Sequence, residues 1–103
     1  MQLDEPPTAI FAANDDMAAG VIRAAKLLGV DIPRQVSVAG CDDISLARQL
    51  CPTLTTIRQP LSSMAERAAL VLIANAQDES PLQGSEIVRA TIEIRESTGP
   101  APR

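Results

Sequence analysis

Three short polar clusters hold the residues of this chain that could do chemistry: Asn14-Asp15-Asp16, Cys41-Asp42-Asp43 and Arg58-Gln59. Carboxylates and amides suit a ligand rich in hydroxyls, because Asp accepts two or more hydrogen bonds while Asn and Gln both donate and accept. A site built of such groups rejects an analogue lacking a hydroxyl, since its own buried polar atoms would lose their partners. Catalysis is harder to assemble from the same residues. Asp42 with Asp15 or Asp16 could hold a magnesium ion. However, no Gly-rich phosphate loop accompanies them, and Lys26 falls mid-helix rather than after a strand. The chain has no His, so no such base is at hand to activate the Cys41 thiol. Each cluster also has a plainer role. Asn14 and Asp15 could cap a helix, Asp42 and Asp43 could form a turn, and Arg58 could bridge to a surface acid.

The surrounding pattern places these clusters. Thr8 to Ala13 is a continuous small or apolar run after Pro6-Pro7, as expected of a strand buried on both faces. Asn14, Asp15 and Asp16 then supply N-cap chemistry and negative charge for a helix start. Met17, Val21, Ala24, Ala25 and Leu28 share one helical face, and Gly29 with Pro33 ends it. Val36 to Ala39 reads as a second strand and Leu54 to Arg58 as a third, with a short helical stretch to Leu50 between them. Pro60 and the capping-box spacing of Ser63 and Glu66 announce another helix, with an apolar stripe of Leu61, Met64, Ala65, Ala68 and Leu72. A polar loop spans Asp78 to Ser85. Glu86 to Arg95 alternates, which predicts a half-buried or edge strand with Ile87, Ala90, Ile92 and Ile94 inward. The tail STGPAPR is expected to order only if tied down.

Strands alternating with helices predict an α/β fold, a parallel sheet with flanking helices. In such sheets the functional loops lie beyond the carboxyl ends of the strands, and all three polar clusters fall there. Phe11, near the first strand end, is core filler or a ring-stacking face.

Composition narrows the classes of function. The 103 residues are 46% hydrophobic and 21% charged, which predicts one compact domain. A formal charge of −4 argues against this chain gripping a phosphate backbone itself. Phe11 is the only aromatic residue, too few for a single-strand stacking platform. Two cysteines, Cys41 and Cys51, make neither a disulfide framework nor a zinc pattern. No apolar run approaches the roughly 20 residues of a membrane helix, and MQLDEPP has no signal-peptide pattern. A cytoplasmic chain with free thiols is expected, without metal or cofactor.

Three blocks, taken together, carry a resemblance: PTAIFAANDDMAAGVIRAAKLLG, DIPRQVSVAGCDDISLARQLCPTLTTIRQP and IEIREST. In this order they closely resemble the effector-binding domain of LacI/GalR-family bacterial transcription regulators, over nearly the whole chain. The resemblance implies a fragment of the two-lobed, periplasmic-binding-protein-like (type I) fold. Residues from about 8 to 59 would belong to one lobe, and those from about 60 to 97 would cross to the other. It implies an effector, often a sugar, in a cleft lined by Phe11, Asn14 and Asp42, with Gln59 near the lobe crossing. Asp42 would accept ligand hydroxyls, Asn14 would donate and accept, and Phe11 would face a ring. Ala19, Ile22, Arg23 and Leu50 would lie near a homodimer interface, or that of a higher oligomer. Cys41 departs from the Phe or Tyr common in the family, which alters the pocket's shape.

The same resemblance implies a C-terminal fragment. Any DNA contact would be made by a helix-turn-helix carried elsewhere in a longer parent, in keeping with the acidic charge. The expected role is therefore ligand sensing, not catalysis. The second reading is a portion of a periplasmic sugar-binding protein of an ABC transporter, which shares the fold and the Asn-Asp-plus-helix block. Such proteins generally lack the IP-x-x-VSV and P-x-LTTIRQP blocks present here. A magnesium-dependent enzyme built on the paired carboxylates ranks third.

Overall fold

Asn14 begins the longest element of the first unit. In a computed structural model, which describes residues 3–78 and 84–103, helix α1 spans Asp15–Leu28. The Asn14 Oδ1 accepts the Met17 N–H at 2.8 Å, satisfying one of the helix's unpaired first-turn donors. Asp15 and Asp16 complement the helix dipole at this end. At the other end Gly29 adopts φ 68°, a left-handed conformation that glycine reaches without strain, and the Val30 N–H closes on the Ala25 carbonyl at 2.9 Å.

Strands β1 (Ala9–Phe11), β2 (Ser37–Cys41), β3 (Thr55–Arg58) and β4 (Thr91–Glu93) form one sheet in the order β1-β2-β3-β4. The first two pairings are parallel and β4 joins antiparallel. Helix α1 and the short α2 (Ser45–Gln49) supply the crossovers that parallel neighbours require. The α/β expectation therefore holds. The core is small: Ala12, Ala18, Ile22, Val38, Ala47 and Leu54, with Val21, Ile32 and Leu50 packed at its margin.

Helix α3 (Leu61–Asp78) belongs to a second compact unit, Gln59–Ala90, while the first comprises Met1–Arg58 and Thr91–Arg103. The second unit pairs α3 with the segment from Gly84, through an Arg67–Glu86 ion pair at 3.0 Å. Ser63 lies inside α3 and its hydroxyl donates to the Pro60 carbonyl at 3.0 Å, not to the capping-box pattern. The loop predicted over Asp78 to Ser85 lies largely outside the described residues.

Besides the capping box, several expectations change. The face of α1 that packs is Ala18, Ile22 and Ala25, with Met17 and Leu28 of the predicted face more than half exposed. The first strand is not buried on both faces. Its helix-side residue Ile10 is half-buried, whereas Phe11 is 63% exposed on the opposite face. The strand predicted over Glu86 to Arg95 is only Thr91–Glu93, and it returns to the first unit rather than continuing the second. Its inward face is also the reverse of the prediction, with Ile87, Ile92 and Ile94 exposed. Polar contacts set that parity in β4 and the residues after it: Glu93 and Arg95 reach Arg58 and Asp43, so Ile92 and Ile94, which alternate with them, must face away.

The tail, finally, is tied down by Ser97, which is fully buried between β2 and β3. Its carbonyl accepts the Val38 N–H at 2.8 Å and its N–H donates to the Thr53 carbonyl at 2.9 Å. Its hydroxyl donates to the Val38 carbonyl at 2.6 Å and accepts the Thr55 N–H at 2.8 Å.

Candidate functional site

The carboxyl ends of β1, β2 and β3 bring Asn14, Asp15, Asp42, Asp43, Thr56 and Arg58 into one neighbourhood of the first unit. Asn14 is half-buried, its Oδ1 engaged as the cap, and its amide Nδ2–H groups are donors suited to a ligand oxygen. Asp42 is also half-buried, and its backbone takes φ 113°. Asp43 follows at φ 53°, so two successive non-glycine residues occupy sparsely populated backbone space. Such strain persists only where surrounding contacts over-determine it, and it concentrates at binding sites.

Asp43 supplies that over-determination. Its side chain is 1% exposed and clasped by two guanidinium groups, Arg58 at 2.6 Å and Arg95 at 2.8 Å. Arg58 reaches Glu93 as well, at 3.2 Å, and Arg95 donates to the Leu54 carbonyl at 2.9 Å. Burial alone would raise the Asp43 carboxyl. The hydrogen bonds from Arg95 and Arg58, together with their charges, outweigh it and hold the group below the ordinary carboxylate value. Arg58 thus takes the ion-pair role that the sequence allowed it.

Asp15 is fully buried. Its Oδ2 accepts the Ile44 N–H at 2.9 Å and its Oδ1 accepts the Thr56 hydroxyl at 2.5 Å. Neither Asp15 nor Asp16 forms a metal cluster with Asp42: among the described residues no group of three His, Cys, Asp or Glu could hold an ion. The sequence missed the cross-chain roles of Asp15 and Asp43. A faint signal was available in Gly40, the strand residue that leaves room for a neighbouring side chain.

The remaining predicted residues are dispersed. Phe11 lines a shallow hollow of about 240 Å³ with Ala9, Ile10, Ser37, Ala39 and Thr98. Gln59 opens the second unit, its carbonyl accepting the Leu61 N–H at 2.9 Å. A larger groove, about 540 Å³, lies wholly in that unit between α3 and Gly84–Val88, and carries none of the predicted site residues. Of the residues assigned to an oligomer contact, Ile22 is buried in the core and Leu50 packs at its edge. Ala19 is half-buried and Arg23 exposed. Cys41 is half-buried and Cys51 exposed, and neither is in a disulfide.

A mostly parallel sheet with helical crossovers and a polar cluster at its strand ends defines an α/β module. The match to known proteins is specific: residues 1–98 fit the periplasmic binding protein-like domain model, and the chain belongs to that family, among relatives that are LacI/GalR-type regulators. It is 42% identical over 90 residues to the uncharacterized HTH-type transcriptional regulator YvdE of Bacillus subtilis (strain 168), covering 87% of this chain and 28% of that protein. The chain thus spans less than a third of that relative's length. It superposes on a LacI family transcriptional regulator from Enterococcus faecium with bound ribose, with a TM-score of 0.81 and 32% identity, over 94% of this chain and 36% of the other. The dimeric Lac repressor with an 11-residue C-terminal deletion matches at a TM-score of 0.81 and 30% identity, over 94% and 35%.

Proposed function

We propose that this chain is the ligand-sensing portion of a cytoplasmic LacI-type transcriptional regulator. It binds a small effector, a sugar, at the strand-end cluster of the first unit. The observation that carries this reading is the pairing of Asn14 with Asp42 at adjacent strand ends, the latter on a strained turn held by buried polar contacts. Asp42 accepts ligand hydroxyls and Asn14 donates its amide hydrogens. In the parent, Phe11 and Gln59 are further candidate effector residues, as the resemblance implies. Occupancy of that cleft then governs DNA binding by a helix-turn-helix that other parts of the parent protein contribute.

The ribose held by the Enterococcus faecium regulator supports a sugar, and the dimeric Lac repressor supports a homodimer here. The Ala19 and Arg23 surface of α1 and the margin at Leu50 make the contact. Ile22 supports it from the core. The role is binding rather than catalysis, since the carboxylates of Asp15 and Asp43 are already engaged, Asp15 by a backbone amide and a hydroxyl and Asp43 by guanidinium groups.

Calorimetric titration of the chain with D-ribose, D-xylose, D-glucose, D-galactose, maltose and cellobiose tests the proposal. Saturable binding of at least one sugar at one site per chain is expected. Absence of binding across the panel would contradict sugar capture by this chain.

A further inference from the structure

Asp15 is buried without a cation: among the described residues no basic side chain pairs with it, and its acceptors are filled by an amide and a hydroxyl. A carboxylate in such a position is costly unless its hydrogen bonds are well made. Here they reach far along the chain. Ile44 lies 29 positions away, directly after the Asp42-Asp43 turn, and Thr56 lies 41 positions away on β3. The Thr56 Oγ1 also accepts the Asp43 N–H, at 3.4 Å. One carboxylate and one hydroxyl therefore receive two successive amides of the β2–α2 turn.

The sheet is shaped around this carboxylate. A Cβ placed on Gly40 would stand 2.5 Å from the Asp15 Oδ1, and 3.1 Å from a Leu54 methyl. Gly40 thus permits the close approach of α1's first turn to β2, at the strand position two residues before Asp42. Asp15 itself adjoins Asn14 in the chain and holds the amide directly after the Asp42-Asp43 turn.

We propose that Asp15 is a positioning residue. With Thr56 as its partner and Gly40 as the gap it fills, it fixes the Asn14 cap and the Asp42 turn in one geometry for effector capture. The effector consequence rests on the function proposed above; the tie between the loops does not. A carboxylate that merely filled the core would influence stability as a whole. A positioning carboxylate controls the order of one turn and the affinity of one site.

The test uses Thr56→Val, which removes the hydroxyl and keeps the branched shape, and Thr56→Ser, which restores the hydroxyl. Amide hydrogen exchange is measured on the whole chain, alongside calorimetry with whichever sugar of the panel binds tightest. In Thr56→Val the Asp43 and Ile44 amides should exchange about tenfold faster than the accompanying change at the Val38 core amide, with Thr56→Ser close to the parent. Sugar affinity should fall about tenfold in Thr56→Val and recover in Thr56→Ser. Uniform acceleration of all amides, or no change at Asp43 and Ile44, would overturn the tie. Loosened loops with unchanged sugar affinity would overturn the positioning role. If no sugar of the panel binds the parent chain, the sugar reading fails by itself, and the exchange data still decide whether Asp15 joins the loops.

Discussion

Asp43 shows how much one carboxylate can hold in place. It faces Arg58 and Arg95 from a nearly inaccessible position, and both arginines touch β4 or its continuation. Replacing Asp43 with Asn leaves two guanidinium groups facing an uncharged amide, and should cost about 1.5–3 kcal/mol at neutral pH. The pH dependence follows from the direction of its shift. The folded value lies below the ordinary 3.8, so the clamp contributes stability above that pH, and the contribution disappears as pH falls through the lower folded value. Urea denaturation at neutral pH and again in acid should show the parent losing this increment and Asp43→Asn having none to lose. Equal acid sensitivity in the two proteins would contradict the clamp. Residue type and local position made the Asn14 cap legible in the sequence, because its partner Met17 is three residues away. They did not separate Asp15 from Asp16, nor Asp42 from Asp43. The distinguishing partners lie 15 to 52 positions distant, beyond any local pattern.

Among the elements, those with a strong local signal were read correctly in kind. Asn14 and Gly29 bracket α1, the β-branched runs before polar turns give β2 and β3, and the crossover pattern gives parallel pairing. The final strand was legible only as a strand. Its alternation of isoleucine with charge is symmetric under exchange of faces, and the face was chosen by hydrophobicity. Long-range ion pairs chose otherwise, drawing Glu93 and Arg95 toward Arg58 and Asp43. Ser97 was hidden for a related reason: a lone serine in a Gly- and Pro-rich tail carries no local mark of burial. Ser97→Ala should leave the Thr55 N–H without its acceptor and the Val38 carbonyl without its hydroxyl donor, costing about 1–3 kcal/mol in a chemical denaturation experiment. A loss within a few tenths of a kcal/mol would mean that the tail does not stitch β2 to β3.

For the whole molecule, the second unit has the least to bury its apolar surface. Leu61, Leu70, Leu72 and Ile73 on α3 are each more than half exposed, and Leu70 and Ile73 lie outside the apolar stripe of Leu61, Met64, Ala65, Ala68 and Leu72. A helix of that composition is stable when covered on most sides. The chain should therefore self-associate, most simply as a two-fold dimer. Light scattering over a dilution series should give a mass above the 10.9 kDa of one chain, and a clean monomer at tens of micromolar would refute this. Leu70→Glu with Ile73→Glu should shift the series toward monomer. The two α3 substitutions lie outside the strand-end cluster, so they change association through α3 without touching the effector residues or the α1 contact proposed above. The central claim rests on the strand-end cluster, and Asp42→Ala tests it most directly. In calorimetry with the tightest-binding sugar of the panel, loss of a charge-assisted hydrogen bond of about 1.5–3 kcal/mol should weaken binding roughly 10- to 150-fold, with the fold retained. An unchanged dissociation constant would reduce Asp42 to a turn residue and contradict the effector site proposed for this chain.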